Sequence, residues 1–531
     1  MNQERTPPTA DENWTLLYST LGYETCAPKQ IWLRALTGQR LSPSAIWTLW
    51  REGSGEIMCG QFSPGGSIQG DALWYADFEC RAPGRYRILV TELEAGKDTT
   101  LSTLPFRVAH DLYWQETVNG MALEGASVRQ APAFMGGGYF DTNRAPGLVV
   151  NHALYAVGLM QSLLRRQESL NALERAQLIW ALDRAIDYVI ALVDKAGAIR
   201  PQARFRRFAS GSDTQATQYG LWALAMYADI FRGTSMRRAR RACRLSLRVQ
   251  RHLREMGSPH YPPELAATVN GSLWWHTGDP LFLERGLEGL QMALTRQKGK
   301  SSLDYLPRYE ALYWFAKHLP NDSRVAAILE TTKHRLMPAR EKLATLADLE
   351  AVSVFVPGGQ PDGCRYFANG PLLRTAIDCL YLAQLYGEPS LAKAATANLA
   401  WVSGLHPGIP GKLVENPAST CGLEAAAFIR GVAARRAKTW DTWFWEEASE
   451  RRPMTRCLLR LCGIRQRPPA VTFTSLIRGF RTDGTFDDEP ETAEVSLGDD
   501  GLWLYAACMH GDYYDEMERV DGQELSAGAE L

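Results

Sequence analysis

From about residue 15 to 108 the apolar residues fall in short runs, among them Ile31-Trp32-Leu33-Arg34-Ala35-Leu36, Ala72-Leu73-Trp74-Tyr75-Ala76-Asp77-Phe78 and Tyr86-Arg87-Ile88-Leu89-Val90. Turn residues separate them, as in Ser63-Pro64-Gly65-Gly66 and Ala82-Pro83-Gly84. About seven short strands at this spacing predict an immunoglobulin-like sandwich. After Ala109-His110 the period becomes helical and stays so. Leu273 to Leu283 parallels Ala383 to Leu391: each stretch ends a helix on glycine (Gly278, Gly387) and opens the next with an acid and a proline. Glycine suits the left-handed residue after a helix and proline the first helical position, so both stretches predict tight helical hairpins. Roughly a dozen such helices between about 111 and 510 suit an (α/α)6 barrel, although their number equally allows a solenoid. The chain then reads as a disordered lead (1–13), a sandwich (14–109), a helical barrel (110–511) and an acidic tail (512–531).

One helix stands out by charge. Arg237, Arg240, Arg241, Arg244, Arg248 and Arg251 recur at three- and four-residue steps, against an apolar stripe of Ala242, Leu245, Val249 and Leu253. Such a face can meet a membrane or nucleic acid, but a solvated outer face is the expectation here. The whole chain of 531 residues carries a net charge of -1, so no global field draws it to nucleic acid or to an anionic membrane. At 45% hydrophobic it can bury a large core in two or more domains. Ten scattered cysteines form no Cys-x-x-Cys pair, which argues against a zinc site or a disulfide framework and for a reducing compartment. The stretch Met1 to Trp14 is polar and lacks the apolar core of a signal peptide, so the expected location is cytoplasmic. No run reaches the roughly 20 apolar residues of a membrane span. No metal site, cofactor or oligomeric state is read. The expected partner is a small-molecule substrate, with neither nucleic acid nor membrane.

The candidate chemistry centres on Gly137-Gly138-Tyr139-Phe140-Asp141-Thr142-Asn143-Arg144, ahead of the apolar helical start Leu148-Val149-Val150-Asn151. Glycines there let backbone approach a ligand. Asp141 reads either as a functional carboxylate or as the N-cap of a helix starting near Pro146. A guanidinium at Arg144 would hold Asp141 ionised. Near the other end, Glu494 is followed by the apolar Val495 and Leu497, which suits a carboxyl kept protonated by desolvation; an ion pair at a helix rim is the alternative. Tyr139, Phe140, Tyr366 and Trp503 are the expected sugar-stacking aromatics, with core packing the alternative for each.

Laid side by side, these pieces resemble glycoside hydrolase family 9, the inverting β-glucanases. The run at 137–144 resembles that family's Gly-Gly-Trp-Tyr/His-Asp-Ala-Gly-Asp, and Gly22 to Lys29 its Gly-Tyr-x-Pro-x-x-Pro-Lys opening. Ala76-Asp77-Phe78, Pro83 to Arg87 and Pro105 to Val108 recur in the order of its sandwich strands. Ser210-Gly211-Ser212-Asp213 resembles its Pro-Gly-Ser/Thr-Asp, and Trp401 to Pro407 its Tyr-Leu-Leu-Gly-x-Asn-Pro. Phe486-Asp487-Asp488 leading to Ala493-Glu494-Val495-Ser496-Leu497 is similar to its approach to Asn-Glu-Val-Ala. The resemblance implies Glu494 as general acid and Asp141 as the first, water-orienting aspartate. It also places Arg144 where the family carries its general base, and the family's His-His-Arg cluster has no counterpart between Pro407 and Ile429. The expectation is acid/base chemistry on a β-linked glycan, with Asp141 as replacement base and Arg144 binding an acidic group of the substrate. Two alternatives remain: an inactive glycan-binding or scaffold protein, and a repurposed barrel catalysing a non-hydrolytic elimination or cyclisation.

Overall fold

The structure is a computed structural model. It describes residues 13–130, 138–139, 148–202, 213–295, 303–348, 366–403 and 497–528 and short strands at 428–430, 474–476 and 479–481, apart from positions 20, 36–37, 69–70, 95–98, 234–235, 258–259 and 304.

The N-terminal strands are β1 (Trp14–Leu17), β2 (Tyr23–Glu24), β3 (Gln30–Ala35), β4 (Ile46–Arg51), β5 (Gly55–Gln61), β6 (Ser63–Ile68), β7 (Asp71–Asp77), β8 (Gly84–Thr91), β9 (Leu101–Ser102) and β10 (Phe106–Ala109). One sheet runs β1-β3-β7-β6 and a second β2-β10-β8-β4-β5, with β9 beside β8. Strand β8 alternates as a sheet with one wet face should: Tyr86, Ile88 and Val90 point into the core while Arg85 and Arg87 are exposed. Strand β3 instead reads Ile31-Trp32-Leu33 without alternation, because both of its faces are covered. Ile31 and Leu33 join the core shared with Trp47, Ile88 and Phe106, whereas Trp32 packs with Leu17 and Leu73 against Ala400 of the helical region.

The helices follow: α1 (Leu112–Val118), a π turn at Asn119–Leu123, α2 (Glu124–Val128), α3 (Val149–Arg165), α4 (Ala172–Leu192), α5 (Thr214–Ile230), α6 (Arg237–Met256), α7 (Pro263–Thr277), α8 (Pro280–Thr295), α9 (Glu310–His318) and α10 (Ser323–Asp348). Strand β11 (Tyr366–Ala368) precedes α11 (Asn369–Tyr386), α12 (Pro389–Val402), β12 (Phe428–Arg430), β13 (Thr474–Leu476), β14 (Gly479–Arg481) and α13 (Leu497–Gly528). Strand β11 pairs with β14, and β12 with β13. Helix α3 packs on α5, α5 on α7, α7 on α9, α9 on α11, α11 on α13, and α13 again on α3. Around them α4 covers α3, α6 covers α5, α8 covers α7 and α12 covers α11. The chain is thus mostly helical behind an N-terminal β region. Among the described residues no helix is long and apolar enough to cross a membrane.

Local chemistry explains the main joints. Gly278 and Gly387 take φ 73° and φ 63°, and Pro280 and Pro389 open the helices after them. Helices α3 and α13 cross so closely that a Cβ at Gly158 would strike the Gly501 carbonyl, and one at Gly501 the Leu154 carbonyl. Helix α6 buries Ala242, Leu245, Val249 and Leu253 and exposes Arg237, Arg240, Arg241, Arg244, Arg248 and Arg251. One expectation is corrected. The stretch from 512 is not a separate acidic tail: it continues α13, where Asp512 and Asp515 pair with Arg165 and Arg166 at 2.7 and 2.9 Å and Tyr513 and Tyr514 are buried.

Candidate functional site

Several of these helices begin at one end of the fold. The start of α3 meets the strand-like approach to α5, where the Val149 N–H donates to the Pro201 carbonyl at 2.8 Å and Leu148 bridges Gln202. The start of α5 meets the approach to α7, where Gln218 donates to the His260 carbonyl at 2.7 Å. Gly370, at the start of α11, lies against Tyr305 and against Asp499 in the first turn of α13. Gly498 in turn lies against Asn151 in the first turn of α3. Helix N-termini carry unpaired N–H groups and partial positive charge, so this end favours carboxylates and other anions. Asp213 already uses that preference: as N-cap of α5 its carboxylate accepts from the Ala216 N–H at 3.0 Å.

Gly138 and Tyr139 of the glycine-rich motif are docked at the same end. Gly138 adopts φ 76°, and a Cβ there would press on His152 and the Tyr188 ring. The Gly138 carbonyl accepts from Arg184 at 3.0 Å, and the next N–H, of Tyr139, donates to His152 Nε2 at 2.8 Å. His152 Nδ1 lies 2.9 Å from the Leu148 carbonyl, so the neutral ring donates from Nδ1 and accepts at Nε2. Burial pushes its pKa down to about 4, which keeps the ring neutral and able to accept. His152 therefore positions the segment that leads into Asp141. The helix-like spacing of residues around His152 gave no signal for this role.

The predicted site residues divide. Phe140, Asp141, Arg144 and Glu494 lie outside the described residues. Tyr366 lies in β11, its backbone opposite Arg481 of β14. Tyr139 and Trp503, expected as sugar-stacking aromatics, are core residues instead, each with no exposed surface. The Tyr139 hydroxyl donates to the Ala181 carbonyl at 3.0 Å, and the Trp503 indole N–H to Thr117 Oγ1 at 2.9 Å. Neither ring offers a face to a ligand. The N-cap of α3 is Leu148, so that helix starts at Val149 and not near Pro146. Aromatic surface at the helix starts comes from Tyr305, half-buried, with its N–H on the Tyr219 hydroxyl at 3.0 Å. No motif marks it in the sequence.

Below this end runs a buried polar chain that sequence reasoning missed. Glu310, in the first turn of α9, accepts from the Tyr505 hydroxyl at 2.8 Å, and the Tyr505 and Tyr381 hydroxyls share a short hydrogen bond. The Arg165 guanidinium lies 5.8 Å over both the Tyr313 and the Tyr381 ring. Burial pushes the Glu310 carboxyl up to about 7, and Glu24 and Asp229 likewise to about 7. A carboxyl with a raised pKa in the folded state contributes stability that is complete below its unfolded value and is lost as pH rises through about 7. The urea midpoint of the native chain is therefore expected to fall between pH 5 and 8, and to fall less in Glu310→Gln. Parallel midpoints for the two proteins across that range would contradict a neutral Glu310.

No protein-family model matches the chain, and no curated protein matches it in sequence. Solved structures do. A metagenome-derived glycoside hydrolase family 9 endoglucanase superposes with TM-score 0.64 at 15% identity, covering 94% of this chain and 99% of its own. A Bacteroides ovatus family 9 glycoside hydrolase gives TM-score 0.61 at 12% identity over 94% and 99%. The structure of AaCel9A in complex with cellobiose-like isofagomine gives 0.57 at 13% over 93% and 99%. The chain has the fold of family 9 glycoside hydrolases. At these identities the likeness is one of fold, and it extends over nearly the whole chain.

Proposed function

We propose that the chain is an (α/α)6 barrel behind an immunoglobulin-like sandwich, and that it acts on a β-linked glycan, acidic glycans included, by acid/base hydrolysis. Glu494 is the acid, Asp141 the replacement base, and Arg144 the ligand for an acidic group of the substrate. One observation carries the reading. The segments bearing Asp141 and Glu494 lead directly into α3 and α13, whose first turns touch through Asn151 and Gly498, although 353 positions separate the two carboxylates. Inverting hydrolysis needs two carboxyl groups, one protonating the leaving oxygen and one activating water from the other face, about 6.5–9.5 Å apart. Two neighbouring helix starts are a suitable place to hold such a pair. The closed packing order of α3, α5, α7, α9, α11 and α13 supports the barrel, and the fold likeness to endoglucanases supports the glycan. Phe140 and Tyr366 are the aromatics proposed to stack on sugar.

The acidic preference rests on Arg144 together with the gathered helix N-termini, both of which favour an anion. The expected result is that Arg144→Ala weakens binding of a glucuronate-containing β-glycan by about 1.5–3 kcal/mol, the range for hydrogen bonds to charged groups. The neutral, carboxyl-reduced glycan should be little affected. Equal losses on the two glycans, measured by calorimetric titration, would remove Arg144 from substrate recognition. Arg144 also favours a second reading, because it stands where the resemblance expects a base: a glycan-binding protein, or a barrel running an elimination or cyclisation. Binding without any new reducing ends from native chain would select that reading.

A further inference from the structure

The sandwich turns its β1-β3-β7-β6 sheet toward the helices, through Trp32 and Ala400, so the outer face of the other sheet is directed away from them. On that outer face Trp50 of β4 is 41% exposed and sits directly across from Arg87 of β8. The indole reaches over Gly55 of β5, its ring 4.0 Å from where a Cβ would stand. A Cβ at 55 would only touch the ring; what requires glycine there is the backbone, at φ 82°. The result is an aromatic platform with a free side.

A groove of ≈ 400 Å³ runs beside this platform, lined by Trp50, Arg51, Arg85, Arg87, Glu52 and Leu89. Its charges are unequal, three guanidinium groups against one carboxylate. Arg51 is held in place, donating to the Pro83 carbonyl at 2.8 Å with its guanidinium 5.9 Å from the Tyr86 ring. Arg85 faces Glu52 at 3.7 Å, both largely exposed, a pair worth little in water. Arg87 is exposed and has no hydrogen-bond or ion-pair partner among the described residues. Directly opposite residues on antiparallel strands hold their Cβ atoms about 4.5–5.5 Å apart, so Arg87 leaves the sheet beside Trp50, on the same face.

An apolar ring face beside a planar, double-donor cation matches a ligand that is itself a flat-faced ring carrying a carboxylate. We propose that this groove is a binding site for a sugar acid within a β-linked glycan, one pyranose stacking on Trp50 while Arg87 takes its carboxylate. Single-stranded nucleic acid also uses stacking and arginine, but it is held by successive aromatic platforms along a basic track. Here one platform sits beside a mixed-charge rim, which favours the single sugar acid. The site lies on the sandwich and does not rest on hydrolysis by the barrel.

The test is calorimetric titration of the full chain carrying Glu494→Gln, so that no ligand is consumed, and Arg144→Ala, so that the proposed acid-binding group of the barrel does not contribute and the groove is read as its own site. The probes are a glucuronate-containing β-linked hexasaccharide, its carboxyl-reduced counterpart and an oligothymidylate. Trp50→Ala should weaken the acidic hexasaccharide by about tenfold or more, and Arg87→Ala by a similar factor while leaving the neutral counterpart unchanged. Both side chains are solvent-exposed, so thermal midpoints should stay close to that of the parent and confirm folding. Unchanged affinity in Trp50→Ala, or an oligothymidylate bound more tightly than the hexasaccharide and weakened by both substitutions, would overturn the proposal. So would absence of binding by the parent. Assay of new reducing ends is independent of this outcome: a barrel that fails to cleave leaves the titration standing, and a Trp50→Ala chain that cleaves short substrate at the native rate leaves the barrel reading standing.

Discussion

Glu494→Gln is expected to slow cleavage of the preferred glycan by roughly 10²-fold or more, with binding retained. The amide keeps the size and shape of the carboxyl and removes the proton that the leaving oxygen must receive. Val495 and Leu497 follow it in the sequence, and an apolar setting there would favour the protonated form an acid requires. A glutamate used only in an ion pair would behave differently: its amide would lower stability slightly and leave the rate alone. The split between rate and affinity, read from initial velocities and from titration with an uncleaved analogue, separates the two roles. Equal rates in the two proteins would remove Glu494 from the mechanism.

The largest expected effect on stability is at Arg129. Its guanidinium pairs with the Asp500 carboxylate, and both side chains are 0% exposed. Asp500 lies in the first turn of α13, six residues beyond Glu494, so this pair anchors the segment that would present the acid. Arg129→Met leaves a carboxylate buried without its cation, and the expected loss is about 3–5 kcal/mol. Arg129→Met with Asp500→Leu should recover much of that loss, because no charge then remains buried. Urea unfolding followed by circular dichroism reads both numbers. A single variant within about 1 kcal/mol of native would mean that the pair is not the anchor.

The periodicities carried the fold well. Period two in β8, period 3.6 in α6, and the Gly-Pro punctuation at 278–280 and 387–389 each follow from local sterics that a sequence displays directly. The roles of Tyr139 and Trp503 were not legible, since an aromatic that stacks on sugar and one that fills a core look alike in a sequence. Only the partners, Ala181 and Thr117, tell them apart. The acid-rich stretch after 511 looks like a solvated tail until Arg165 and Arg166, some 350 positions away, are brought beside it. Glu310 is buried for the same reason: its setting is made by Tyr505, a residue of the last helix. His152 was hidden differently, because its function is to hold the backbone of a neighbouring motif.

The central claim, inverting hydrolysis of a β-linked glycan, is tested most directly by proton NMR of the native chain incubated with glucuronate-containing and neutral β-glycans. New reducing ends should appear first as the α anomer, with the acidic glycan consumed faster. A first product in the β configuration, or no new reducing end from any glycan in the panel, would contradict it.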